Sequence, residues 1–122
     1  MPGNFTGKMT IYFNKKSGQK ECNKEGCEIF RISEKGDCES AFTLREGFAY
    51  PRKTFRFFEV FKNDSIAEVP EFDKNEYLEN PVKNQDRKYV FYSSSGYEDS
   101  TGSNPNYTLV YYVDYGKNYK NY

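Results

Sequence analysis

Along much of this chain an apolar or aromatic residue stands at every second position, with a polar one between, and a repeat of two is what a pleated strand needs to bury one face. From Lys8 to Asn14, Met9, Ile11 and Phe13 point one way while Thr10 and Tyr12 point the other. The same period predicts strands over Cys27–Ile32, Cys38–Leu44, Arg52–Lys62, Ile66–Val69, Arg87–Ser93 and Tyr107–Tyr115. Cys27–Ile32 and Cys38–Leu44, joined by Ser33-Glu34-Lys35-Gly36-Asp37, read as a hairpin whose Gly36 is free to take positive φ. Arg52–Lys62 carries Phe on both faces, with Glu59 interrupting the row Phe55, Phe57, Phe61, and reads as a central strand covered on both sides or as a strand with one face that meets a partner.

Composition agrees with this periodicity. Tyr (12) and Phe (11) supply the core material, a β-favouring choice, and Ala appears only at positions 41, 49 and 67. A chain of 122 residues fits one domain, so 1–122 is read as a single all-β unit. The expected architecture is an antiparallel β-sandwich, with a small Greek-key barrel as the alternative. Between the strands, Glu71–Asp86 reads as a long acidic loop, although a short helix over Asp73–Leu78 also fits. Ser94–Asn106 is turn chemistry throughout, and the tail from Gly116 to Tyr122 is expected to fray.

The absence of histidine removes the commonest general base and every Ser-His or Cys-His nucleophile pair, so the chain is expected not to be an enzyme. No pair of carboxylates stands in the apolar setting that would raise one pKa for glycoside hydrolysis. Three cysteines with spacings unlike a zinc knuckle, Cys22, Cys27 and Cys38, can supply one internal disulfide, Cys22–Cys38 or Cys27–Cys38. No cofactor is implied. The oxygen-rich loops around Asp64 and around Glu98 and Asp99 offer calcium as the one metal with suitable chemistry.

Zero formal charge speaks against nucleic acid, and no apolar run is long enough to insert into a membrane. The first 62 residues hold 12 Lys/Arg against 8 Asp/Glu and the remaining 60 hold 6 against 10, a mild asymmetry that would favour self-association. Three Asn-x-Ser/Thr sequons, at Asn4, Asn63 and Asn106, favour a secreted or extracellular location over a cytoplasmic one. Met1–Lys8 holds no signal-peptide apolar region, so a secreted chain would be a mature or trimmed form. Tyrosine crowds the last third, and Tyr92, Tyr97, Tyr111 and Tyr112 are the candidate binding face. Such rings suit protein or carbohydrate contacts. The sequence therefore points to a non-enzymatic secreted or surface module that contacts protein or carbohydrate through this Tyr-rich face and the loops Glu71–Asp86 and Ser93–Asn106, with a self-assembling structural protein as the alternative.

Overall fold

The computed structural model describes residues 1–25, 28–42, 55–98 and 106–122, with the backbone alone at 97, 98 and 106. Its elements run β1 (Gly7–Phe13), β2 (Glu21–Cys22), β3 (Glu28–Ile29), β4 (Asp37–Glu39), β5 (Phe57–Val60), β6 (Ile66–Val69), α1 (Lys74–Glu79), α2 (Pro81–Asn84), β7 (Lys88–Glu98), β8 (Asn106–Tyr115) and a 3-10 helix over Gly116–Asn121. Four strands form one sheet in the order β4-β1-β8-β7, and β2-β3 and β5-β6 are two-stranded ribbons.

The all-β expectation holds, but the arrangement departs from an antiparallel sandwich. β1 pairs antiparallel with β8 and parallel with β4, Ile11 standing opposite Cys38. The expected hairpin between Cys27–Ile32 and Cys38–Leu44 is therefore not formed: β3 turns back on β2, and β4 joins β1. A parallel pair needs a long crossover, and the stretch 14–36, with the β2-β3 ribbon inside it, provides one. Gly36 makes the return possible. Its φ is +88°, and a Cβ there would lie 2.2 Å from the Lys8 carbonyl oxygen.

One face of the sheet carries the main core. Met9, Ile11 and Phe13 of β1, Leu109, Tyr111 and Val113 of β8, and Val90 of β7 are all buried there. Phe57 and Val69 of the β5-β6 ribbon pack onto it, with Phe57 and Tyr111 edge to face at 5.1 Å. The Arg52–Lys62 region is thus no central strand. Its described part is β5, bonded to β6 on one side, while Met1–Gly3 lies on the other through Gly3 N–H to Val60 O and Val60 N–H to Met1 O, each 2.9 Å. Phe on both faces has a local cause: Phe57 points inward, and Phe58 points outward beneath the Arg56 guanidinium at 5.1 Å.

The opposite face of the sheet is covered over one half. Phe72, Tyr77, Tyr89, Phe91, Tyr112 and Tyr119 form a second, wholly aromatic cluster there. Residues 74–84 are helical rather than loop. The Asp73 carboxylate accepts from the N–H groups of Asn75 and Glu76, and Asn80 caps α2, whose first residue is Pro81. The tail does not fray. It winds into the 3-10 helix, and Tyr119 stacks on Phe72 (5.5 Å), Phe72 on Phe91 (4.7 Å) and Phe91 on Tyr122 (4.5 Å). Each such pair adds about 0.5–1.5 kcal/mol beyond the area it buries. No helix among the described residues is long and apolar enough to cross a membrane.

Candidate ligand-binding face

Among the described residues, the aromatic cluster and its helices do not extend over the other half of that outer face. Register fixes what it presents. Glu39, Tyr12, Thr108 and Gly96 lie in one row across β4, β1, β8 and β7, and Asp37, Thr10, Val110 and Ser94 lie in the next. Neighbouring strands stand about 4.8 Å apart, so these side chains make a lattice of hydroxyls, short apolar groups, two carboxylates and one large ring, Tyr12. Tyr12, Thr108 and Val110 are half-buried and Asp37, Glu39, Ser94 and Gly96 exposed, whereas Thr10 is buried. The third row, Lys8, Tyr112 and Phe91, is the border: Tyr122 stacks on Phe91 there and lies 5.4 Å from Tyr112. A β-bulge between Tyr92 and Ser94 shifts the register of β7, so that Ser94 rather than Ser93 stands opposite Val110.

At the β4 edge the face runs into a shallow open groove of about 360 Å³, to which Tyr12, Asp37 and Glu39 contribute. Segment 15–19 makes one wall. Lys15 N–H bonds to Ser40 O, and Gln19 exchanges backbone bonds with Glu39 and Ala41. Gly18 lets this wall come close, since a Cβ there would meet Glu39 O at 2.7 Å. The Gln19 amide then bridges to the other wall, donating to Arg31 O at 3.0 Å and accepting from Arg31 N–H at 2.9 Å. The Arg31 guanidinium is engaged by both carboxylate oxygens of Glu21, at 2.7 and 2.8 Å, and this bond holds the Glu21 carboxyl below its ordinary range. Ser33 Oγ donates to Asp37 Oδ1 at 2.6 Å.

Chemically the groove offers carboxylates, hydroxyls, an amide and one phenol ring. Cys38 contributes to it but is 2% exposed, and burial pushes its thiol up, so it is a poor nucleophile. Cys38 and Cys22 are both free thiols, which corrects the expected disulfide. They sit on β4 and β2, strands that are not paired with each other, and Cys27 lies outside the described residues.

The four tyrosines read from the sequence do not share a face. Successive residues of a strand point to opposite sides, so Tyr111 is 0% exposed in the core while Tyr112 points outward. Tyr92, opposite Tyr111 in register, lies on the core side with its ring 5.7 Å from it. Tyr97 stands opposite Tyr107 in the backbone, and its side chain is outside the described residues. The residues missed were Tyr12, Thr10, Thr108 and Glu39. For Thr10 and Tyr12 the signal was the outward phase of β1; Thr108 and Glu39 join them only through strand register.

For calcium, Asp64 sits in a tight turn at φ 65°, and the neighbouring Asn63 Oδ1 accepts from Ser65 N–H and Ser65 Oγ. Among the described residues no three acidic or thiol side chains are grouped to hold a metal ion. The Glu98 side chain and Asp99 lie outside those residues.

No protein-family model and no curated protein matches the sequence. The fold is similar to that of a "Putative Lipoprotein from Bacillus anthracis", with a TM-score of 0.60 and 12% identity over 93% of this chain. This chain spans 65% of that protein's length, and at such identity the likeness is one of fold.

Proposed function

We propose that the chain is a non-enzymatic binding module, secreted or held at a cell surface, that engages protein or carbohydrate across the open half of its sheet and the adjoining groove. The observation that carries this reading is the division of the outer sheet face. One half is sealed by aromatic packing, and the other presents Tyr12, Thr108 and Val110 partly open to solvent on rigid strands. Flat, partly apolar faces with hydroxyls and one large ring suit extended ligands better than enclosed small molecules. The lack of histidine and the burial of Cys38 favour binding over turnover. A similar fold in a protein described as a lipoprotein supports the surface location.

Titration of the ¹⁵N-labelled chain with cello- and chito-oligosaccharides and with basic, acidic and neutral decapeptides tests this. The expected result is that one class shifts the amides of Thr10, Tyr12, Thr108 and Val110, and that Val110→Arg abolishes those shifts. Shifts confined to α1 and α2, or turnover of any of these probes, would overturn it.

A further inference from the structure

We propose that the groove beside Tyr12 takes a lysine or arginine side chain from an extended basic segment of a partner protein. This rests on the binding-module reading above and names the partner's chemistry.

The argument begins with charge. Three cationic side chains form ion pairs among the described residues: Arg31 with Glu21, Arg56 with Glu68 and Lys88 with Glu59. Arg31, the cation in the groove wall, is therefore paired with a carboxylate outside the groove, and Asp37 and Glu39 outnumber it within. Asp37 and Glu39 have no cationic partner among the described residues, and they stand on the same side of β4, two residues apart. Their negative field is felt locally: after burial, which acts first, both help to raise the Cys38 thiol.

Geometry adds the ring. Tyr12 is the register neighbour of Glu39 on the adjacent parallel strand, about 4.8 Å away along the hydrogen-bonding direction. An ammonium or guanidinium lying over a half-exposed tyrosine ring gains a cation–π contact, and a carboxylate one strand away completes the pairing. The walls are set by backbone bonds and by the Gln19–Arg31 bridge, and Ser33 holds Asp37, so the groove and one acceptor are in place before binding. About 360 Å³ is near the lower end of ligand clefts, roughly 300–1,000 Å³, and the groove is open rather than enclosed. It therefore accommodates one or two long side chains of a segment that continues across the Thr10–Val110 row.

The test uses the ¹⁵N-labelled chain at low salt with three probes: N-acetylated, C-amidated pentalysine, pentaglutamate with the same ends, and cellohexaose. Pentalysine is expected to bind and to move the amides of Tyr12, Asp37 and Glu39. Glu39→Gln should weaken it about fivefold and the D37N/E39Q double variant about tenfold. The E79Q/D86N double variant, with the same charge change at a distance, should stay within about twofold. Glu39→Gln leaves the Ser33–Asp37 bond intact and reports even if the double variant is poorly folded. Pentalysine that moves no groove amide, or equal weakening by both double variants, overturns the proposal. Cellohexaose moving the Tyr12 and Thr108 amides without any pentalysine effect also overturns it, while leaving the binding-module reading standing.

Discussion

Lys88 on β7 and Glu59 on β5 form an ion pair between the sheet and the ribbon, their side chains only 13% and 9% exposed. Lys88 Nζ also donates to Phe5 O at 2.9 Å, tying the N-terminal segment to the same point. This contact explains why an acidic residue interrupts the inward row of Phe on β5. Breaking a buried pair leaves one charge uncompensated, so Glu59→Gln should cost about 3–5 kcal/mol in urea unfolding. Replacing both partners by Met removes both charges, and the double variant should lie within about 2 kcal/mol of the parent. Single-variant costs that simply add in the double would show that the pair is not coupled.

Tyr122 and Asp114 give the tail a pH window. Burial, then the 2.6 Å hydrogen bond to Asp114 and its negative charge, push the Tyr122 phenol from 10.0 up to about 12. A pKa raised on folding means that this contribution is intact below pH 10 and is lost as pH rises through about 12. For Asp114, burial pushes the carboxyl up, but hydrogen bonds from Tyr122, Asn118 and the Tyr115 N–H, with the charge of Lys117, bring it below its ordinary 3.8. That contribution is present above pH 3.8 and lost as pH falls through the lowered folded value. The half-exposed Tyr122 makes this a local release rather than global unfolding. Near-ultraviolet circular dichroism should show the Tyr122 signal vanish at both extremes, and Tyr122→Phe should remove both transitions. A tail signal that stays flat as pH rises from 10 through about 12 would contradict this link between Tyr122 and Asp114.

Gly116 is where the tail meets α2 and the aromatic cluster. A Cβ there would fall 2.4 Å from Asn84 O and 2.6 Å from the Tyr77 ring. Gly116→Ala should therefore destabilise by about 1–3 kcal/mol through overpacking and raise hydrogen exchange across 116–121. A variant as stable as the parent would mean that the tail packs less closely than described.

Cys22 and Cys38 differ in access rather than in bonding. With Cys27→Ser as background, Cys22 should react promptly with a thiol reagent, whereas Cys38, buried and with its thiol pushed up, should react only on unfolding. Equal rates in the native state would place Cys38 at the surface.

How far the sequence revealed this molecule depended on the kind of contact. β1 and β8 were legible because each buries one consistent phase, as Met9, Ile11 and Phe13 do, whereas β6, which buries Val69 alone, and β7, which buries Tyr89, Val90 and Phe91 on both faces, were legible from their β-favouring residues and flanking turns. The parallel partner of β1 was not, since periodicity reports which side chains are buried and never which strand lies alongside. α1 was masked by its own start, because Asp73 is as good a turn residue as a cap and Pro81 opens α2 rather than ending a loop. The candidate site was less legible: the outward phase of β1 was readable but did not mark Tyr12 as a binding residue, and β8 is aromatic on both phases because each face meets its own cluster. There, alternation alone does not tell a ring that packs from one that faces solvent.

Tyr111 and Tyr12 turn that distinction into a measurement. Tyr111 is fully buried, with its ring 5.1 Å from Phe57 and 5.7 Å from Tyr92, so Tyr111→Ala should cost about 3–5 kcal/mol, as large-to-small changes in aromatic cores do. Tyr12 lies across the same sheet, half-buried beside Thr108 and Glu39, and supports no core cluster. Tyr12→Ala should cost about 1 kcal/mol or less while removing the ring on which the proposed ligand contact depends. Chemical unfolding of the two variants, alongside the amide titrations, separates the roles. If Tyr12→Ala unfolded the chain as readily as Tyr111→Ala, the open face would be part of the scaffold, and a ligand would have to be sought elsewhere.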